Sequence, residues 1–402
     1  MYRHASRPRP DWRRTVEGQG LVYPYTPLPG GGQALYWNES AFYELSSDEV
    51  DALEATTEEL HRMCVQAAQH LASGELGNLG LTPGALELVR HSLTEDQPSL
   101  YGRFDLRFDG LEPAKLLEYN ADTPTGLVES AVAQWHWLED VMPSTDQWNS
   151  LHERLVQQWR TLARRLPGGA LHLAHSAAEP TGEEWMTVAY VRDTADQAGI
   201  PTVGLTIEDL GWDHTLGLFV DLDDRPIGAC FKLYPWESML AEPFGRHLLD
   251  NPDRPVWIEP AWKAVLSNKA LLAALWQLYP GHENLLPAYV DDPGTLTEWV
   301  AKPLHGREGD GIRVQAADAD TIRTTSTGTY GREGYCYQQW APLPSYDGNH
   351  PVLGCWMVGG NAAGLGIRES DGYITDGYAR FVPHVISAPR PDAEQAQRWL
   401  RE

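Results

Sequence analysis

The stretch that most constrains this chain is Tyr101–Asp140, which reads YGRFDLRFDGLEPAKLLEYNADTPTGLVESAVAQWHWLED. Phe104, Leu106 and Phe108 alternate with Arg103, Asp105 and Arg107, the period of a strand with one apolar face. Asp109-Gly110 and Pro113 mark a turn. The return segment, Lys115 to Asn120, places Glu118 and Asn120 two apart and so on one face. Paired in register, the two segments project Arg103, Asp105, Glu118 and Asn120 from one side. A cation beside two carboxylates and an amide oxygen is a donor set that hard divalent ions such as Mg2+ accept, with water and substrate phosphates completing the shell. The same spacing also describes the polar outer face of a half-buried hairpin laced by surface ion pairs, and spacing alone favours that reading. The next residues shift the balance. Ala121 to Thr125 is a turn-rich loop, and a helix is expected over about 126–140, capped by Thr125, with Leu127, Ala131, Trp135 and Leu138 as its apolar stripe. Strand, acidic-amide loop and helix start in succession make a place where hydroxyls and backbone N–H groups hold an anion.

Composition narrows the function classes. A formal net charge of -25 disfavours a nucleic-acid ligand, which needs a basic footprint. With 42% hydrophobic and 22% charged residues the chain has an ordinary globular mix and can bury a sizeable core. Cys64, Cys230, Cys336 and Cys355 are widely spaced and form no CxxC, so neither a zinc site nor a disulfide framework is expected. No long apolar run suggests a membrane span, and the basic start (Arg3, Arg7, Arg9, Arg13, Arg14) is followed by no apolar signal region. A cytoplasmic location and a solvated basic tail over about residues 1–20 are the expectations.

Residues 1–40 are rich in Pro, Gly and aromatics and read as an irregular arm draped over something. Helices are expected over 46–71, with Ser47 as cap, and over 82–90, 148–166, 183–198 and 268–278. Strands are expected over 171–174 and 201–206, an α/β layer, and a hairpin over 219–222 and 226–232. The last third reads as strands over 296–304, 334–341, 352–359 and 363–368, an antiparallel sheet with a glycine-rich flap, His305–Gly311. The sixteen tryptophans are read as core.

Lysine occurs only at Lys115, Lys232, Lys263, Lys269 and Lys302. Lys269 opens a helix, and Lys302 precedes the glycine-rich loop, whose backbone N–H groups could close over phosphates. An ordinary surface turn is the competing reading of HGREGDG, which lacks the Walker A ending. Gln338-Gln339-Trp340 ends a strand that could border an adenine ring, and Arg368 could offset charge on a transferring phosphoryl group.

Taken together, RFDLRFDG, LLEYNADTPTGLVE, QWHWLED, FKLYPWE, WIEPAWKAVLSNKALL, KPLHGREG, YQQWAPLP and GIRE resemble the synthetase domain of glutathionylspermidine synthase and its stand-alone bacterial relatives, from about residue 20 to about residue 387. The resemblance implies an α+β architecture, the ATP-grasp fold in the permuted, glutathione synthetase-like arrangement, with antiparallel sheets and flanking helices forming one catalytic unit. It implies ATP and Mg2+, with Asp105, Glu118 and Asn120 as metal ligands and Lys269, Lys302, Glu308, Gly309, Gln339 and Trp340 as nucleotide contacts. Arg103 would contact phosphate and substrate, Thr123 and Thr125 would contact substrate, and Arg368 would lie near the transferring phosphoryl group. The activity implied is ATP-dependent joining of a small-molecule or peptide carboxylate to an amine. A nucleotide-binding protein of the same fold that forms no amide is the alternative of another class. No room is expected for the amidase domain of the bifunctional enzymes, and substrate-recognition insertions of the longer synthetases are expected to be absent. The acid, the amine and the oligomeric state stay open.

Overall fold

The computed structural model describes residues 1–317 and 330–387. Its centre is a five-stranded antiparallel sheet in the order Arg380–Val382, Asn361–Ser370, His350–Val358, Tyr101–Arg107, Lys115–Asn120. The hairpin pairs in the expected register: Arg103 lies opposite Asn120, and Asp105 opposite Glu118. The other face of the hairpin enters the core, where Phe104 and Tyr119 stack with ring centroids 3.9 Å apart. A bulge after Asp105 leaves Leu117 without a partner opposite, which twists the strand end.

A second layer is a four-stranded parallel sheet, Val256–Ile258, Ala229–Leu233, Leu171–His175, Thr202–Thr206. Its apolar run packs under the helices Leu151–Leu162 and Glu183–Gln197 in one core with Trp159 and Trp356. Because both faces of a parallel sheet are covered, its strands read as short apolar runs. A third sheet, antiparallel, orders Ala288–Val290, Tyr335–Gln339, Trp299–Pro303 and Arg313–Gln315. The long helix Ser47–Ser73 buries Val50, Leu53, Thr57, Leu60 and Cys64, the face its sequence period predicts. Architecturally this is mixed helix and sheet with antiparallel sheets, as expected. Among the described residues no helix is long and apolar enough to cross a membrane. All four cysteines are free and buried.

Several expectations are corrected. The cap of the long helix is Ser46, whose hydroxyl accepts from the Glu49 amide while the Glu49 carboxylate accepts from the Ser46 amide. Thr125 does not cap the following helix. Gly126, at φ 82, turns the chain into it instead. That helix passes through a π-helical turn, Glu129–Ala133, before Gln134–Val141. The extra residue in a π turn rotates the following face, so Trp137 and Leu138 are buried and Trp135 is exposed. Trp185 is exposed as well, so the tryptophans are not all core. The hairpin over 219–222 and 226–232 forms only next to its turn, where Val220 bridges Pro226 antiparallel and the Ile227 amide donates to the Phe219 carbonyl at 2.9 Å; Leu218–Val220 also pairs with Gly211–Asp213, and Ala229–Leu233 leaves to join the parallel sheet. The basic tail is not simply solvated. Tyr2–Ala5 pairs with Ala41–Ser46, Arg3 binds the fully buried Glu369 through two nitrogens at 2.8 and 2.9 Å, and Arg9 binds Glu39 and Asp140.

Candidate active site

All the residues singled out in the sequence for chemistry line one cleft of about 560 Å³: Arg103, Asp105, Glu118, Asn120, Thr123, Thr125, Lys269, Lys302, Glu308, Gly309, Gln339, Trp340 and Arg368. That volume suits a nucleotide-sized ligand. The floor is the polar face of the hairpin. Arg103 Nε donates to Asp105 Oδ1 at 2.8 Å, and Arg368 Nη2 donates to Asp105 Oδ2 at 2.5 Å. Asn120 Nδ2 donates to Glu118 Oε1 at 3.0 Å, which leaves the amide oxygen of Asn120 as an acceptor. Lys269 Nζ lies 3.2 Å from Glu118 Oε2. Burial would raise the Glu118 carboxyl, but Lys269 and Lys302 outweigh it and hold that group well below the usual carboxylate range.

Lys302 is 8% exposed and donates to the Leu117 carbonyl at 2.7 Å and to Gln338 Oε1 at 2.8 Å. The bulge residue thus supplies an anchor for the lysine of another sheet. Burial draws the Lys302 ammonium down to about 8, with Glu118 opposing and Lys269 reinforcing. A lysine so poorly solvated gains from an anionic ligand.

Arg368 comes from the strand two places from Asp105, so its side chain must cross the intervening strand. Gly354 makes room for Arg103 on that strand: it sits opposite Asp105, and a Cβ there would come within 2.9 Å of Arg103 Cδ. The glycine-rich flap reaches over the loop after Asn120. Arg307 donates to Thr123 Oγ1 at 2.9 Å and to Glu237 at 2.8 Å, and a Cβ on Gly309 would meet the Thr375 carbonyl at 2.9 Å. The Thr125 carbonyl accepts from Arg103. Gln339 and Trp340 stand on the rim, Gln339 exposed.

Sequence reasoning passed over Gly354 and the arm residues Tyr23, Thr26 and Tyr36, which also line or shape the cleft, and gave Gln338 and Arg307 only as members of the Gln338–Trp340 strand end and of the flap. Strand alternation turns Gln338 inward with Lys302, because Lys302 pairs with Cys336, two residues before Gln338. Nothing local marks the arm residues, because only the tertiary fold brings them there.

Three lysines lie outside the cleft: Lys115 donates to the Glu283 carbonyl at the surface, and the other two are buried. Lys232 Nζ donates to Asp122 Oδ1 at 2.6 Å with both side chains fully buried, and Asp122 also accepts from the Trp236 amide at 2.9 Å. Lys263 pairs with Glu259 at 2.8 Å, and Glu259 accepts from the Leu100 and Tyr101 amides. These pairs stitch the parallel sheet to the two ends of the hairpin.

Residues 3–387 match the profile of the family described as glutathionylspermidine synthase preATP-grasp. The chain belongs to that family. A protein of Haemophilus influenzae that carries the provisional name acid–amine ligase is 41% identical over 392 residues, 94% of this chain and 97% of its own length. The bifunctional glutathionylspermidine synthetase/amidase of Escherichia coli is 25% identical over 390 residues, and this chain spans only 61% of its length. A solved glutathione synthetase-like effector from Globodera pallida superposes with a TM-score of 0.52 at 11% identity, covering 94% of this chain and 98% of that one, which is a likeness of fold.

Proposed function

We propose that this member of the family is an ATP-dependent carboxylate–amine ligase, one catalytic unit on the permuted ATP-grasp arrangement, working in the cytoplasm. The observation that carries the reading is the charge layout of the cleft: two hairpin carboxylates directly opposite each other, ringed by Arg103, Arg368, Lys269 and Lys302 from four separate segments. The names of the relatives, acid–amine ligase and glutathionylspermidine synthetase, support the same reaction class.

The donor set fits Mg2+. No cluster of three or more acidic, His or Cys ligands occurs among the described residues, but Mg2+ needs only one or two carboxylates when phosphate and water oxygens complete its octahedron. Asp105, Glu118 and the Asn120 amide oxygen would hold it, and when bound it would neutralise phosphate charge. The other roles belong to the chain. Lys269 and Lys302 would bind the phosphates of ATP, with Gln339 and Trp340 beside the base. Arg103 and Arg368, fixed on Asp105, would face the carboxylate of a peptide or amino acid as its oxygen attacks the γ-phosphorus and ADP leaves. Thr123 and Thr125 would position that substrate. The amine nitrogen then attacks the acyl carbon, phosphate leaves, and the nitrogen gives up a proton. Glu308 and Gly309 in the flap would exclude water from the acyl phosphate, which otherwise hydrolyses.

Hydroxylamine trapping tests this. With ATP and a panel of peptide and amino-acid acids, the ligase reading expects a hydroxamate formed with ADP. ATP binding with no hydroxamate and no amide from any pairing favours a non-ligase nucleotide-binding protein of the same fold.

A further inference from the structure

The hairpin strand Lys115–Asn120 is the outer strand of its sheet, so one row of its backbone groups has no ladder partner. Leu116 turns both of its groups that way. Its amide donates to the Asn284 carbonyl at 2.9 Å, and its carbonyl accepts from Gln338 Nε2 at 2.8 Å. The next carbonyl, that of the bulged Leu117, accepts from Lys302 Nζ at 2.7 Å. Gln338 Oε1 accepts from the same Nζ at 2.8 Å. Lys302 and Gln338 are diagonal neighbours on one face of the third sheet, because Lys302 pairs with Cys336. Four groups therefore link the two sheets: the carbonyls of two successive hairpin residues, the amide side chain and the ammonium.

Gln338 is 1% exposed, and its position uses both ends of an amide. The Leu116 carbonyl needs a donor and the ammonium needs an acceptor, and glutamine supplies both. An ionised glutamate would have no proton for Leu116, and a methionine would serve neither. What the amide lacks is charge. Lys232 and Lys263 are matched to Asp122 and Glu259, and Lys269 lies 3.2 Å from Glu118. Among the described residues Lys302 forms no ion pair. Glu118 and Asp105 from the hairpin, Lys269 from the helix start and Cys336 from the neighbouring strand act on it only through space. An ammonium has three protons, and neutral acceptors hold two of them here. The third, with an uncancelled positive charge, is left for the cleft that Lys302 lines.

We propose that Gln338 is the positioning residue for Lys302 in nucleotide binding: its neutral amide holds the ammonium beside the Leu117 carbonyl without cancelling its charge, and so aims the remaining N–H at the phosphates of ATP. Lys302 as a phosphate ligand belongs to the function proposed above, and Gln338 acting through it depends on that reading.

A double-mutant cycle tests this, with the dissociation constant of MgATP read by calorimetry in the wild type, Gln338→Met, Lys302→Met and the double variant. Each single substitution should weaken MgATP about tenfold or more. In the Lys302→Met background, Gln338→Met should cost less than about twofold, since the group it positions is gone. Unfolding in denaturant should behave otherwise. Gln338→Met should lower stability in both backgrounds, because Leu116 loses its donor in each. Gln338→Glu, nearly the same shape as the native residue, serves should the methionine variant not fold. Its carboxylate would cancel the charge of Lys302 and should weaken MgATP about tenfold or more. A loss of affinity from Gln338→Met that is as large in the Lys302→Met background as in the wild type would make its role structural only and overturn the proposal. MgATP binding of wild-type strength in Gln338→Met, or in Gln338→Glu where that variant is the one that folds, overturns it as well. Lys302→Met that binds MgATP as the wild type does, or wild-type protein that binds none at millimolar concentration, overturns instead the phosphate role of Lys302 and takes the role of Gln338 with it.

Discussion

The cleft floor and the seam beneath it hold similar ion pairs put to different use. Lys232–Asp122 in the seam is sealed, with both side chains at 0% exposure, and its carboxylate has a second donor in the Trp236 amide. Lys269–Glu118 in the cleft opens onto a cavity, with Glu118 at 28%. Their carboxyl groups are displaced in opposite directions. Burial raises Asp122 more than Lys232 lowers it, whereas Lys269 and Lys302 together lower Glu118 in spite of burial. One lysine per carboxylate under full desolvation fixes a joint. Two lysines around a carboxylate with an open side leave positive charge for a ligand to meet. The difference teaches that a buried lysine is not by itself a phosphate ligand. The cavity beside it decides.

The largest effect should fall on the seam. Lys232→Met alone leaves Asp122 buried without its cation and should cost about 3–5 kcal/mol in denaturant unfolding. Lys232→Met combined with Asp122→Leu should recover most of that loss, since a sealed pair can be replaced by apolar groups of similar volume. If the single substitution unfolds no more easily than the wild type, the seam pair is not the joint described here.

Next in size is Gly354→Ala, which sharpens the comparison from the cleft side. Its Cβ would approach Arg103 Cδ to 2.9 Å and the Gly366 carbonyl to 3.1 Å. The Arg103–Asp105–Arg368 arrangement must then shift, at a cost of roughly 1–3 kcal/mol in stability and a fall in kcat larger than the rise in KM. An alanine that leaves turnover intact would mean that Arg103 does not need that space.

The smallest effect is on pH dependence. Glu118 has a lowered value in the folded state, so its contribution is present at neutral pH and lost as pH falls below the ordinary carboxylate range. Asp122 is raised, so its burial penalty is relieved as pH falls through that range. Acid unfolding should therefore be less steep in Glu118→Gln and steeper in Asp122→Asn than in the wild type. The same sign in both variants would erase the distinction between floor and seam.

The hairpin was legible because period two fixes which side chains share a face, and the turn residues Asp109-Gly110 and Pro113 fall in the connection between the two strands. That argument needed only local residues, and Arg103, Asp105, Glu118 and Asn120 do share a face. The long motifs supplied what period could not, bringing Lys269, Lys302 and Arg368 into the same reading from far downstream. The π turn at Glu129–Ala133 escaped because apolar spacing assumes an unbroken helix, and one inserted residue exchanged Trp135 for Trp137. The scarcity of lysine suggested phosphate contacts. It could not separate Lys269 and Lys302 from Lys232 and Lys263, because burial without a cavity is a tertiary property. The arm looked like a solvated tail because Glu369, the partner of Arg3, lies more than three hundred residues away in sequence.

The most direct test of the account is turnover of ATP to ADP with detection of the amide by mass spectrometry, in the wild type, Asp105→Asn and Lys302→Ala. The account predicts a loss on the order of 10²-fold or more in each variant while the folded state is retained, because Lys302→Ala removes a cation facing the phosphates and Asp105→Asn removes the carboxylate that would hold the metal and fixes Arg103 and Arg368. Equal turnover in all three proteins would contradict it.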